Sequence, residues 1–477
     1  MSSPFFGLDI ALRGLYASQT AMNVIAHNVS NANTDGYSRQ VVNISATDPF
    51  TNPSFYKPLS TGQLGTGAEV ISISRMRDSR IELQIRNNVE LVNEYESKAE
   101  VFSMMEAIFN EPGSVGLNSL IDDFFNQFNE LSSAPESSVV RAQVRQSSES
   151  LTDYFNKLYG DLTDLSEDID DNVRITVTGI NSLLNQIGDV NQLITGIIPT
   201  GDDPNDLLDK RDYLLGQLSE YVGIDVSEQG DGAVNVYIGG RLVVQRDIVK
   251  ELAVVDDTAN YNYSAIKMAD DLDGESVAVS GGEIKGLIDA RDSSEFGVRH
   301  YINELDTLAY NLINKVNAQH RTGFGLDSVG NRNFFTPVSL QDASGSISLS
   351  AGILDPVNGL SRIAASSAAA SVPGDGSNAL LIAQLQNDVN AVGDASFNEY
   401  YVSLISQLGV YADIESNKVE NQDFLLNQLY SMRDEVSGVS LDEEAAKLIM
   451  YQNAYNAATQ VIQIMDDNYK LLIDMMS

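Results

Sequence analysis

The sequence predicts a mainly α-helical protein with β-rich insertions, and three observations lead to that class. Apolar residues recur at three- and four-residue steps over most of the chain, the period of an amphipathic helix. Both ends carry this repeat in its heptad form, so the termini are expected to pair as a coiled-coil-like α-helical hairpin. From about residue 222 the period switches to two, as in a half-buried strand. The layout is nested. A terminal assembly domain comprises 1–40 plus 440–477. A long-helix bundle with a short strand segment comprises 41–221, 282–322 and 395–439. Outer β-rich regions comprise 222–281 and 323–394.

In the first helix, Leu8, Leu12, Leu15, Gln19, Met22, Ala26 and Val29 alternate steps of four and three. Ser3 and Pro4 suit its N-cap and N1 positions, and Asn33 to Gly36 is a stop signal. At the other end, Ser440 and Glu443 form a capping box. There Leu448, Tyr455, Ile462, Tyr469 and Met476 fall seven apart, while Met450, Ala457, Ile464 and Leu471 repeat on a neighbouring face. Two seams require two sets of neighbours, so other subunits are the natural source of the second.

Between the ends, RMRDSRIELQIRNNVELVNEYESKAEVFSMMEAIF and GLNSLIDDFFNQFNELSS read as helices separated by an EPGSVG break. Asp203 and Pro204 suit the N-cap and N1 of PNDLLDKRDYLLGQLSEYV. In VNVYIGGRLVV, Gly239-Gly240 between two apolar runs signals a two-residue hairpin. Helical spacing returns at 281–320, where Tyr301, Leu305, Leu308, Leu312 and Val316 share a face. A Gly- and Ser-rich stretch with short strand-like pieces, about 323–394, precedes a helix pair at 395–440.

The 477 residues include 67 acidic and 29 basic side chains, a formal charge of −38 that repels nucleic acid and anionic membranes. The absence of cysteine excludes disulfides, thiolate metal sites and cysteine nucleophiles. No basic n-region precedes an apolar h-region, and no apolar run reaches the roughly 18 residues that span a bilayer. Ordinary signals therefore describe a soluble cytoplasmic chain, although export routes that use an uncleaved N-terminus leave no such mark.

No motif demands catalysis, a cofactor or a metal. His27, His300 and His320 all lie in apolar-periodic helices and read as packed or surface residues. The TGQLGTGAEV stretch, with Gly62, Gly65 and Gly67, lacks the spacing of a phosphate loop and reads as a turn between strands. Acidic groups at Asp202, Asp203, Asp206 and Asp209, and at Asp270, Asp271 and Asp273, invite a calcium reading. Solvated helix-start and turn carboxylates explain them better. An inserted hydrolase domain is the rival class, and it lacks any supporting motif.

Asn23, Asn28, Asn31 and Asn33, with Gly7 and Gly14, each cost roughly half to one kcal/mol of helix propensity relative to Ala. That choice suits an assembly, where amides supply hydrogen bonds between subunits and glycines permit close helix approach.

The segment ALRGLYASQTAMNVIAHNVSNANTDGYSRQ, 11–40, resembles the signature of bacterial flagellar rod, hook and hook-associated proteins, as does SGVSLDEEAAKLIMYQNAYNAATQVIQIMDDNYKLLIDMM. GYSRQ, DLLDKRDYLLGQLSEYVGI, GGEIKGLIDARD, LDTLAYNLINKVNAQHRTGF and GDGSNALLIAQLQ are similar to the hook-associated protein 1 family in particular. The resemblance implies a structural adaptor at the hook–filament junction, secreted unfolded by type III export. It implies a ring-like homo-oligomer at the hook tip, with the hook protein, a second hook-associated junction protein and an export chaperone on the C-terminal helices as partners. A hook subunit or flagellin-like axial protein is the alternative. Assembly contacts are then expected at Leu12, Leu15, Met22 and Val29, and at Ile462, Ile464, Tyr469 and Leu471. Asn28, Asn31, Asn33 and Gly36 are expected to form the helix stop. The termini are expected to be disordered or chaperone-bound in the monomer and to order on assembly. Residues 1–45 hold two basic and two acidic side chains, so most of the charge lies further out.

Overall fold

The computed structural model describes residues 6–48, 65–109 and 116–476. Ser3, Pro4, Gly62 and most of the EPGSVG break lie outside these residues. The chain is mainly helical with small antiparallel sheets. Helix α1 (Phe6–Ser30) leads through a turn into β1 (Gln40–Ala46), which pairs antiparallel with β2 (Ala68–Arg75).

Next come α2 (Ser79–Phe109), α3 (Leu117–Ser133), α4 (Ser138–Ile197) and α5 (Asn205–Tyr221). The 60 residues of α4 span about 90 Å at 1.5 Å per residue. Apolar side chains on one stripe of α4, among them Leu151, Phe155, Leu158 and Leu162, are buried along its length. Pro204 occupies the N-cap of α5 rather than the expected N1 position, and Asn205 is the first helical residue. The Asn205 amide donates to Ile73 O at 2.6 Å, which ties α5 to β2.

A four-stranded sheet follows: β3 (Ile224–Glu228), β4 (Val234–Ile238), β5 (Arg241–Gln245) and β6 (Ile248–Val249). At the β4–β5 turn Gly239 and Gly240 have φ of +55° and +74°, the left-handed values that a type I′ turn needs at both positions. Strands β7 (Leu252–Asp257) and β8 (Tyr263–Met268) form a separate hairpin. Two amides on α4 hold this region. Asn191 bonds Val234 N, Val234 O and Arg246 O, and Asn181 bonds Leu252 N and Leu252 O.

The helical stretch expected at 281–320 divides into α6 (Gly282–Asp292) and α7 (Val298–Thr322). Tyr301, Leu305, Leu308, Leu312 and Val316 of α7 are fully buried. They share one apolar core with Phe102 of α2, Phe124, Phe125 and Phe128 of α3, and the α4 stripe.

The strand-like reading of 323–394 is corrected. Its regular elements are short helices, including α8 (Ala343–Ser346), α9 (Ala351–Leu354) and α10 (Ser377–Gln384), and its β-type pairings are isolated bridges. Phe334, Phe335, Ile347, Ile353 and Ile363 from this stretch are buried in the main core. The helix pair expected at 395–440 is a single helix, α11 (Phe397–Ser437), opened by a Ser396–Glu399 capping box. After Gly438-Val439-Ser440 the chain ends in α12 (Leu441–Met476).

Candidate assembly interface

Helices α1 and α12 pair antiparallel. Near the end of α1, Asn28 Nδ2 donates to Glu444 Oε2 at 3.0 Å. Near its start, a Cβ on Gly7 would lie 2.6 Å from Met465 Cε. These two contacts lie three heptads apart on each helix, so the pairing keeps a constant register. The α1 stripe in phase with them is Gly7, Ala11, Gly14, Ser18, Ala21, Ile25 and Asn28, small residues in the main, and all but the glycines are buried.

The larger stripe expected to be a seam lies one residue over and faces outward. Leu12 is 39% exposed and Val29 45%, with Leu15 and Met22 half-buried. On α12, Ile464 and Leu471 are 60% and 61% exposed. Ile462 and Tyr469 are half-buried on the stripe that carries Met465. The four C-terminal residues therefore divide between two faces, because heptad spacing fixes a stripe without saying which neighbour covers it.

Two of the amides, Asn28 and Asn31, bond within their own chain. Asn28 is 1% exposed, and its amide makes four bonds. Nδ2 donates to Gln40 O and Glu444 Oε2, while Oδ1 accepts from Gln40 N and the Tyr37 hydroxyl, all within 2.8–3.0 Å. Burial, with Asp206, Asp209 and Glu444 nearby, pushes the Tyr37 phenol above its ordinary pKa, so it remains a donor. Asn31 bonds His27 O one turn back, and Asn33 is exposed. Gly36 has φ of +76°, and a Cβ there would meet Tyr213 Cβ at 2.9 Å, so the turn requires glycine. At Gly14 a Cβ would meet nothing within 4 Å, which leaves Gly7 as the close-approach glycine of α1.

The hairpin is joined to the helical body through polar groups, and no residue of α1 or α12 belongs to either apolar cluster. Ser38 N donates to Asp209 at 2.9 Å, Gln40 Nε2 to Asp206 at 2.7 Å, and Arg39 N to Ser437 O at 2.9 Å. Arg39 pairs with Glu443 at 2.9 Å and His27 with Asp206 at 3.2 Å. Beneath them Arg75 reaches Asp209 at 2.8 Å and Asp212 at 3.0 Å, and Arg77 reaches Glu82 at 2.9 Å. Burial opposes the charge of Arg75, but Asp212 and Asp209 outweigh it and hold its pKa above the ordinary value. A polar cleft of about 680 Å³ lies between the 32–39 turn and the α11–α12 junction.

Asp206 and Asp209 are thus bonded to protein donors. Among the described residues no group of three or more His, Asp or Glu could hold a metal ion, and no helix is long and apolar enough to cross a membrane. His27 and His300 lie near carboxylates, and His320 is fully buried. The expected site omits Arg75, Arg77, Asp212 and Glu444. One signal for the arginines was available in Arg75-Met76-Arg77, whose two-residue spacing continues the β2 alternation and puts both on one face.

Three family models match the chain: "Flagella basal body rod protein" over 8–37, "Flagellar hook-associated protein FlgK helical domain" over 102–335, and "Flagellar basal body rod FlgEFG protein C-terminal" over 432–475. The flagellar hook-associated protein 1 of Bacillus subtilis is 32% identical over 500 residues, covering 98% of this chain and 97% of that protein. Its Salmonella typhimurium counterpart is 24% identical over 558 residues, covering 98% and 99%. The solved flagellar hook junction protein FlgK from Burkholderia pseudomallei shares the fold, with a TM-score of 0.61 at 16% identity over 74% of this chain and 100% of that one. The full-length match to the Bacillus protein, with rod-type models on both helices of the α1–α12 hairpin, shows that the chain belongs to the flagellar hook-associated protein 1 family.

Proposed function

We propose that this chain is the structural adaptor that joins hook to filament in the bacterial flagellum, a building part rather than an enzyme. The observation that supports it best is the hairpin's surface: large apolar side chains of α1 and α12 face outward in a chain of charge −38. Exposed apolar stripes on paired helices call for helical neighbours. Leu12, Leu15, Met22 and Val29 of α1, with Ile464 and Leu471 of α12, contact neighbouring subunits in a ring at the hook tip. Ile462 and Tyr469 support the hairpin from its inner stripe, and Asn28, Asn31, Asn33 and Gly36 turn the chain into the body. Hook protein below and a second hook-associated protein above complete the junction. The exposed Ile464, Leu471, Leu472 and Ile473 give an export chaperone an apolar face to cover before assembly.

The test is electron microscopy of cells lacking the gene, with flagellin in the medium measured in parallel. Bare hooks with flagellin lost to the medium are expected; intact filaments would overturn the position, and missing hooks would point to a rod or hook subunit. Complementation with Val29→Asp should fail to restore filaments while the purified variant keeps the wild-type melting temperature. Restored filaments would remove Val29 from the interface.

A further inference from the structure

We propose that Asn28 is the positioning residue that fixes the α1–α12 hairpin on the helical body. Three segments meet at its side chain: α12 through Glu444, the strand β1 through both backbone groups of Gln40, and the intervening turn through the Tyr37 hydroxyl. An amide offers two donors and two acceptor lone pairs, and all four are used here. Glu444 is itself 1% exposed, and its other carboxylate oxygen accepts from Lys447 of the same helix at 2.9 Å. Any swing of the hairpin that parts Asn28 from Gln40 or Tyr37 strands buried polar groups, the kind of penalty that selects one geometry over its neighbours.

Several other features of the joint select orientation weakly. The α1 stripe facing α12 is made largely of small residues, with open space beside Gly14. Neither helix enters the apolar clusters of the helical body, and α1 packs beside the β1–β2 hairpin with only the small Ala17 and Val24 buried off its α12-facing stripe. The ion pairs of Arg39 with Glu443 and of His27 with Asp206 have exposed carboxylates, and such pairs tolerate a range of angles. The cleft beside the turn leaves room for the hairpin to tilt. Gln40 extends the lock into the body, since its side-chain amide bonds Asp206 of α5. The geometry in which subunits present their outward stripes therefore depends on this buried amide together with the turn's backbone anchors, Ser38 N to Asp209 and Arg39 N to Ser437 O. That consequence rests on the adaptor reading, whereas the positioning itself does not.

The test uses the full chain, whose lack of native cysteine permits clean double spin labelling. Labels at the exposed Gln19 and Gln192 report the hairpin against the body, and labels at Gln19 and Gln452 report α1 against α12. In Asn28→Leu the first distance distribution should roughly double in width, while the second and the helical circular dichroism stay unchanged. Glu444→Gln, which keeps an acceptor for Asn28 Nδ2, should retain the narrow first distribution. A wild-type chain already as broad as Asn28→Leu would overturn the proposal, as would an Asn28→Leu chain as narrow as the wild type. If Asn28→Leu unfolds, broadening by Tyr37→Phe decides the matter, and an unchanged width there overturns it. Failure here leaves the adaptor reading standing, because filament restoration by Val29→Asp reads assembly alone.

Discussion

Asp306, Asn317 and His320 lie along one helix, α7, and each holds irregular backbone that has no strand to pair with. Asn317 accepts from Phe334 N and Phe335 N at 2.8 and 2.9 Å and donates to Phe335 O at 3.0 Å. Asp306 accepts from Asp342 N and Ser344 N, and His320 from Ala364 N through Nε2, while Nδ1 donates to Arg332 O. Arg141 of α4 does the same for Leu360 O and Ile363 O. Asn317→Ala strands three backbone groups at buried residues, so it should cost about 2–4 kcal/mol in urea unfolding. Burial lowers the His320 pKa to about 4 from 6.5, so the imidazole is neutral in the fold. The unfolded chain binds the proton first. The His320 contribution is therefore intact above pH 6.5 and lost as pH falls toward 4, and His320→Gln should flatten the pH slope of stability in that window. Glu90 has the opposite sign. Burial raises its carboxyl to about 7 against the bond from Ile224 N, so stability falls as pH rises from about 4.5 through 7. Glu90→Gln should raise the urea midpoint at pH 8 more than at pH 5, and equal shifts at both would refute this.

At the scale of elements, what could be read depended on whether the signal was local. The β4–β5 hairpin was legible because its turn needs positive φ at both Gly239 and Gly240. Heptads revealed α1 and α12, but a helix carries several stripes, and the small one beside Leu12 and Val29 became the intramolecular seam. The 323–394 stretch was misread because its backbone is satisfied by side chains from α4 and α7, far away in sequence. Alternating apolar residues look the same whether a strand or a distant amide holds them. Segments with few large buried side chains open at low free energy, and the α1–α12 seam is such a case, although both helices are formed in the single chain, where the sequence predicts disordered or chaperone-bound termini. Hydrogen exchange on the free chain should therefore show α1 and α12 at least about tenfold faster than the middle of α4, a gap of about 1.4 kcal/mol. Equal protection would mean that the hairpin is as stable as the core.

At the scale of the whole molecule, the main apolar core joins α2–α7, α10 and α11, while α1 and α12 lie outside it and most of the acidic groups lie at the surface. A net charge of −38 repels itself, and the repulsion acts over about 30 Å at 0.01 M salt but only about 8 Å at 0.15 M. Residues 1–45 are nearly free of this effect, with two acidic and two basic side chains. Salt should then act twice, through separable routes. Screening relieves the body, so the melting temperature should rise between 0.01 and 0.15 M sodium chloride. Screening also lets bodies approach one another, so association through the outward Leu12, Leu15, Met22 and Val29 stripe should appear in sedimentation velocity at the higher salt. Val29→Asp separates the two routes, because it places a charge on the stripe and leaves the body's charge pattern almost unchanged. It should abolish the salt-induced association while preserving the rise in melting temperature. Loss of both would place Val29 in the fold rather than at its surface, and association that persists would locate the contact elsewhere on the chain.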